Sequence, residues 1–251
     1  MIQQSFMEWG NESGEWIMHG VDWNNPKCIH SVDEAIKYIN EVGFLPLFKN
    51  DIDDFSLEER TAPENWWSDH PKIDPWMWRT IIARQHDIVY GKFFNKKVGF
   101  ISKKWLPAFA NYRRDGYDFD ALYDDGKAPN KHKKIMVNFM EDQEDSEIYS
   151  NELKMKSGFG KGGEKGFDGA ITNLMMQTYL CNCDFKKRVN KKGIAYGWDV
   201  AVYSSIEHIY GYEYVTSCYR DEPQDSWKQI TDYMHGMYPQ ATDKQIRKVL
   251  K

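Results

Sequence analysis

The sequence predicts a helix-rich protein of the α/β (α+β) class. In residues 129–204, three helical patterns follow one another and precede two strand-like segments that flank a lysine-rich turn. Aromatic residues make up 15% of the 251 positions. Each buried aromatic side chain removes ~150–250 Å² from water, so this share predicts a well-filled core. Three helices followed by a hairpin with a basic tip is the element order of a winged helix, and we expect tandem units of this kind with short hairpin wings.

The first elements are indicated by capping and periodicity. Residues 1–30 are polar and rich in glycine, which predicts irregular structure with at most one short strand. Ser31 and Glu34 form a capping-box pattern before an apolar stripe that Gly43 ends, so a helix is expected between them. The run Phe44–Phe48 contains Pro46 and is expected to be at best an edge strand.

The middle of the chain repeats these signals. Thr61 to Glu64 gives a second capping-box pattern, and Asp74 before Pro75 predicts the start of a buried helix. Two apolar segments, 88–94 and 98–102, flank a short polar turn and predict a hairpin. A further helix is expected to begin after Ser102 and to stop at Gly116.

The second half contains the predicted winged helix. Its first helix has four apolar residues at helical spacing: Ile135, Met136, Phe139 and Met140. The second runs from Ser150 to Ser157 and ends at Gly158, and the third starts near Glu164 or Lys165. The expected strands span 179–185 and 194–203, and both Cys181 and Cys183 should point to one face of the first.

These signals predict three regions. Residues 1–128 form an N-terminal helical and hairpin region, which could be a degenerate winged helix, and the polar stretch before Pro129 marks its end. Residues 129–210 form the winged-helix domain. Residues 211–251 form a C-terminal helical tail packed on the body.

The third helix and the following turn predict contact with double-stranded DNA. Asn and Gln can bond adenine through two hydrogen bonds, and the outward side of the helix is expected to present Thr172, Asn173 and Gln177. The turn carries five cations in seven positions: Lys186, Lys187, Arg188, Lys191 and Lys192. Cations that neutralise phosphates release counterions and so supply affinity. Lys161 and Lys165 extend this surface, and the glycine-rich segment Gly158–Gly163 could offer backbone amides to a phosphate.

Two features favour a plain solvated turn instead. Glu164 and Asp168 lie at the start of the third helix, where they would face phosphates. Lysine-rich turns also protect sheet edges against aggregation. The net charge of −5 argues in addition against a generally cationic surface.

Composition excludes several classes of function. Four cysteines occur without a CxxC pair or a zinc-like histidine spacing, so no metal and no cofactor are expected. Cys181 and Cys183 are interpreted as small buried or half-buried residues, with a redox or metal role as the alternative. No signal peptide and no run of ~18 apolar residues is present, so a cytoplasmic protein without membrane contact is expected.

Two other groups are weaker site candidates. Four tryptophans near Asp69 and Asp74 could form an aromatic pocket for an extruded base, with a core corner as the plain alternative: Trp66, Trp67, Trp76 and Trp78. A polar quartet follows the tryptophan-rich helix, and its adjacent His and Asp could form a tuned base: Arg84, Gln85, His86 and Asp87.

From about Ser31 to Lys251 the chain resembles the AlkZ-related proteins, short relatives of the bacterial AlkZ/YcaQ winged-helix DNA glycosylases. The resemblance depends on these segments: Ala35–Phe48, Asp74–Arg79, Tyr90–Phe94, Gly99–Ser102, Ser157–Gly160, Lys191–Gly193 and Tyr196–Trp198. It implies tandem winged helices and DNA repair. The family's catalytic Gln-apolar-Gln or Gln-apolar-Asp segment falls here on Leu45-Pro46-Leu47, which has no side chain able to position water.

The sequence therefore predicts a winged-helix DNA-binding protein that works in repair or regulation. One alternative is a glycosylase that acts on alkylated bases through residues outside the usual motif. A second alternative is a protein-interaction winged helix without a nucleic-acid partner.

Overall fold

The structure, a computed structural model, describes residues 6–10, 17–140, 146–190 and 192–251, of which 6–10 are described by their backbone alone. The fold is mixed α/β, as predicted. The chain forms two compact units. The first contains residues up to Trp105 together with Thr231–Lys251, and the second contains Leu106–Ile230.

The first unit combines a two-stranded ribbon, a three-stranded sheet and flanking helices. Its elements are β1 (Phe6–Gly10), β2 (Ile17–Val21), α1 (Val32–Val42), β3 (Phe44–Pro46), α2 (Pro75–Gln85), β4 (Ile88–Phe94), β5 (Lys97–Ser102) and the C-terminal helix α11 (Asp243–Leu250). Strands β1 and β2 pair antiparallel. The sheet has the order β3-β5-β4, and its pairs are antiparallel.

Local signals explain the boundaries of α1. The side chain of Ser31 accepts a hydrogen bond from the amide of Glu34, and Gly43 ends the helix with φ of +81°. Glycine alone adopts this left-handed conformation without a Cβ clash. Strand β3 follows at once at the edge of the three strands, because Pro46 lacks an amide proton for a second neighbour. Both predictions are confirmed.

The carboxylate of Asp74 organises the start of α2. It accepts hydrogen bonds from the backbone amides of Trp67 at 3.1 Å, Asp69 at 3.2 Å and Trp76 at 2.8 Å. The predicted cap of α2 is thus confirmed. The capping box predicted at Thr61 is wrong, because a short 3-10 helix begins at Pro63 and no side chain caps it.

The second unit is mainly helical around a long hairpin. Its elements are α3 (Leu106–Arg114), α4 (Phe119–Asp124), α5 (Asn130–Met136), β6 (Ile148–Tyr149), α6 (Ser150–Lys156), α7 (Phe167–Met176), β7 (Leu180–Val189), β8 (Ala195–Ser205), α8 (Ile206–Tyr210), α9 (Tyr212–Val215) and the first part of α10 (Pro223–Met237). Strand β8 pairs antiparallel with β7 and with β6.

Arg114 at the end of α3 holds several of these elements together. Its fully buried guanidinium forms an ion pair with Glu207 of α8 and donates to the carbonyl of Thr178. It also lies 4.4 Å from the ring centroid of Tyr179. A buried charge is tolerated only when it is paired and hydrogen-bonded in this way.

The two compact units divide the chain differently from the three predicted regions. The unit boundary after Trp105 precedes the predicted boundary at Pro129, and the predicted tail 211–251 is shared between both units. The three-region division and the tandem winged-helix architecture stay predictions.

Candidate nucleic-acid interface

Strands β7 and β8 form a hairpin whose far part projects from the second unit. Residues Lys187–Asn190 and Lys192–Asp199 are all exposed. The predicted hairpin is confirmed, but it is longer than expected, because pairing continues to Val189 and Ala195 through the lysine-rich segment that was predicted as a turn. We call residues 187–190 and 192–199 the hairpin end.

The predicted cations of this hairpin differ in their surroundings. Lys186 is held by carboxylates, with Nζ 3.3 Å from Glu147 and 3.4 Å from Asp184. Burial opposes its charge, but these two acids raise the pKa of Lys186 above its ordinary value. Lys187 and Lys192 are exposed and form no ion pair with the described residues. Lys191 lies outside the described residues.

Arg188 differs from the lysines because it contacts an aromatic ring. Its guanidinium carbon lies 5.1 Å from the ring centroid of Tyr196 on the opposite strand. Arg188, Val189 and Tyr196 line a cavity of about 170 Å³ together with residues at the start of α6, including Asn151 and Glu152. The hairpin end therefore borders the start of α6 at this cavity.

Helix α7 presents a narrower polar face than predicted. Asn173 is exposed and Gln177 is half-buried, and the two share one side of the helix with Gly169 at i, i+4 spacing. The outward orientation expected of Thr172 is wrong. Its side chain is 8% exposed and its hydroxyl donates to the carbonyl of Asp168 at 2.7 Å, which is the usual way a helical threonine satisfies its hydroxyl.

The start of α7 borders a larger cavity. It has a volume of about 560 Å³ and is lined by Lys154, Lys165 and several glycines of the preceding loop. The helix begins at Phe167 and not at Glu164 or Lys165, because Gly166 has φ of +98° and breaks the helical geometry. Lys161 and Lys165 are exposed next to this start.

Two lysines of α5 join this region, and the sequence interpretation missed them. Lys131 and Lys134 lie 3.5 Å and 2.6 Å from the carboxylate of Glu164, and the Lys134 hydrogen bond is the main cause of its lowered pKa. Lys131 also donates to the carbonyl of Lys165 at 2.9 Å. Of the two acids that argued against phosphate binding, Glu164 is thus neutralised by its neighbours, whereas Asp168 is exposed. The run Lys131-His-Lys-Lys134 was the available signal.

The four tryptophans predicted to form an aromatic pocket differ in their exposure to solvent. Trp66 and Trp78 are fully buried, and Trp66 Nε1 donates to Thr61 Oγ1 at 3.0 Å. Trp67 is 41% exposed, and its ring centroid lies 6.4 Å from that of the half-buried Trp76. The plain alternative, a core corner, therefore describes Trp66 and Trp78.

The polar quartet Arg84–Asp87 lies at the end of α2. Arg84, Gln85 and Asp87 are exposed, and His86 adopts a left-handed backbone conformation with φ of +59° that ends the helix. No hydrogen bond joins the side chains of His86 and Asp87 within the described part of the chain. A catalytic role for the quartet stays a prediction.

Leu45, Pro46 and Leu47 are buried in the first unit. The carbonyl of Pro46 accepts from Leu57 and that of Leu47 accepts from Glu58, both at 3.0 Å. This position, which the resemblance aligns with the family's catalytic motif, therefore serves packing in this chain.

The structure places Cys181 and Cys183 in the interior, one of the arrangements expected from the sequence. Cys181 and Cys183 are buried free thiols. Burial raises the pKa of Cys183 to about 12 and that of Cys181 well above its ordinary value, which disfavours the reactive thiolate. Among the described residues, no cluster of three or more His, Cys, Asp or Glu side chains could hold a metal ion. No helix within the described ranges is long and apolar enough to cross a membrane.

The hairpin end contains aromatic residues that were not predicted as site residues. Tyr196 is 47% exposed and Trp198 is 90% exposed. The available signal was Gly197 within a strand pattern, since an isolated glycine in a strand often marks a bulge.

The second unit is thus a helical unit with a cationic, aromatic hairpin. The family described as AlkZ related matches residues 29–251, and the chain belongs to this family. Membership relates the chain to a glycosylase-like family linked with DNA repair and implies an interaction with DNA. No curated protein and no solved structure matches the chain.

Proposed function

We propose that this protein binds double-stranded DNA through a winged helix in the second unit, in the setting of DNA repair. The element order supports it. Helices α5, α6 and α7 precede the β7–β8 hairpin, and β6, which lies between α5 and α6, pairs with β8. A winged helix has the same succession, with its third helix as the recognition helix and its hairpin as the wing.

The observation that carries the proposal is the group of exposed cations on the hairpin end. Lys187, Arg188 and Lys192 are open to solvent, whereas Lys186 is already held by two carboxylates. Because a cation without a carboxylate partner can neutralise a phosphate without first breaking an ion pair, these three residues are best suited to bind the DNA backbone.

A second cationic group supports the same function. Lys161 and Lys165 are exposed at the start of α7, where amides at a helix N-terminus attract phosphates. Lys131 and Lys134 screen the nearby Glu164. Asn173, which is exposed on α7, then supplies a side chain able to bond a base edge.

The test is a binding titration with a fluorescent duplex of about 20 base pairs at two salt concentrations. The variant Lys187→Ala, Arg188→Ala, Lys192→Ala should lose at least about tenfold in affinity, and its salt dependence should flatten because fewer counterions are released. The matched control replaces three exposed lysines of the first unit, Lys27, Lys72 and Lys244, with Ala and removes the same charge. Equal losses in the two variants would refute a specific role for the hairpin end.

Family membership favours base excision as a second candidate function. Since Leu45, Pro46 and Leu47 are buried and apolar, the reaction would need other groups to orient water. Incubation with oligonucleotides that carry methylated bases should then produce abasic sites. Intact strands at stoichiometric protein would leave DNA binding as the function of this chain for those lesions.

A further inference from the structure

Trp198 is the most exposed large apolar side chain of the described residues. Its exposed fraction is 90%, compared with 59% for Val189 and Ile194 on the same hairpin end. An indole in water forfeits the stabilisation that burial of a large apolar surface provides. Clustered apolar exposure of this kind marks an interaction site more often than it marks ordinary surface.

A bulge in β8 produces this exposure. Lys187 pairs with Asp199, but the next residue, Arg188, pairs with Tyr196, so that Gly197 and Trp198 have no partner on β7. Gly197 has φ of +73°, a conformation that side-chain-bearing residues rarely adopt. Such a bulge redirects the side chains next to it, and here it leaves the indole outside the ladder.

The residues around the Trp198 indole indicate which class of ligand it would bind. Lys187 and Arg188 lie opposite the bulge on β7, and the guanidinium of Arg188 lies against the ring of Tyr196. Aromatic rings and an arginine plane stack on nucleobases, while cations bind the phosphates beside them. The charge of the hairpin end thus favours a polyanion with accessible π faces.

A fully paired duplex hides the faces of its bases in the stack. Opening a base step costs a few kcal/mol by general estimates, and the cost is least where pairing is already broken. An exposed wedge therefore gains most at a site with an unpaired base. We propose that Trp198 stacks on an unpaired base and makes the hairpin end select DNA with a local pairing defect over intact duplex.

This inference rests on the proposed function, since the hairpin end must first reach DNA. It adds the class of DNA that is preferred and the residue that sets the preference. Tyr, Trp and Arg also form hot spots in protein interfaces. A protein is therefore the alternative binding partner that the experiment must distinguish from DNA.

The experiment compares affinity for a duplex with a central one-nucleotide gap and for the same duplex fully paired, by fluorescence anisotropy. Wild-type protein should prefer the gapped duplex. Trp198→Ala should reduce that preference by about tenfold or more, within the range measured for base–aromatic stacking, and Trp198→Phe should retain most of it. The matched control Ile17→Ala removes an exposed apolar side chain without a ring from the first unit, outside the hairpin end, and should leave the preference unchanged.

The two proposals fail in different ways. Wild-type protein that binds neither duplex would overturn both the proposed function and this inference. If Trp198→Ala weakens binding equally for both duplexes, or does not weaken it at all, the inference alone is overturned. That result would favour a protein partner for Trp198. Because Trp198 is exposed, its replacement removes no core packing, so the measurement does not depend on a destabilised variant.

Discussion

At the scale of single residues, His132 on α5 is expected to make the stability of the protein depend on pH. It is 6% exposed, and its Nδ1 has no hydrogen-bond partner among the described residues. Burial therefore lowers the pKa of His132 from its ordinary value of 6.5. The charged imidazolium is disfavoured in the folded protein and is free to form in the unfolded chain.

The free energy of unfolding should consequently fall as the pH drops below about 6.5, because the unfolded chain then binds a proton that the folded protein does not. One such proton contributes at most about 1.4 kcal/mol per pH unit. His132→Gln should lose less stability than wild type between about pH 7 and pH 5, measured by urea denaturation. His208→Gln, which changes an exposed histidine of the same unit, should keep the wild-type pH dependence. Parallel curves for wild type and His132→Gln would contradict the prediction.

At the scale of elements, the start of α7 depends on the backbone of one glycine. Gly166 is the N-cap residue with φ of +98°, and no side chain provides the usual capping hydrogen bond. Gly169 lies three residues later in the helix, is exposed, and a Cβ built on it would meet no atom within 4 Å. A side chain is thus disfavoured at Gly166 and tolerated at Gly169.

Gly166→Ala should destabilise the protein by about 1–2 kcal/mol, since an L side chain is strained at this φ. Gly169→Ala should stabilise it by about 0.5–1 kcal/mol, because alanine loses less backbone entropy in a helix. Chemical denaturation of both variants measures these changes. The reverse order of stabilities would show that the conformation of Gly166 does not define the helix start.

At the scale of the whole molecule, a net charge of −5 coexists with local cationic groups. Screening confines the effect of an exposed charge to about 8–10 Å at physiological salt. DNA should therefore contact the cationic groups of the second unit while the remaining acidic surface stays in solvent. Only a few cations should then bind phosphates, and the salt dependence of the affinity gives their number.

Plots of log affinity for duplex DNA against log salt should have a slope of about −3 to −5, as expected when roughly three to five cations neutralise phosphates. Titrations over a range of salt concentrations give this slope. A slope steeper than about −8 would mean that a much larger cationic surface binds DNA than the hairpin end and the start of α7 provide.

Much of the backbone was predictable because its signals are local. Ser31 and Gly43 bound α1, Asp74 begins α2 and Gly158 follows α6, each within the few residues that a cap or a left-handed turn involves. The hairpin of β4 and β5 and that of β7 and β8 were likewise indicated by short apolar segments.

The candidate site was less predictable, because exposure depends on what covers a residue. Helical periodicity placed Thr172 outside, but the packing of the second unit buries it. The bulge at Gly197 and Trp198 arises from the register between two strands, to which residues on both sides of the turn contribute. The pairing of Glu164 with Lys131 and Lys134 joins segments about 30 residues apart.

By itself, the sequence determined the class of fold, most helix and strand positions, the family and the cationic character of the β7–β8 hairpin. Only the tertiary structure decided which of those cations are unpaired, that Thr172 is inside, and that an indole stands exposed beside Arg188 and Tyr196. The reason is physical. Caps and turns act over a few bonds of one segment, whereas burial, ion pairing and strand register are set by groups that distant segments bring together.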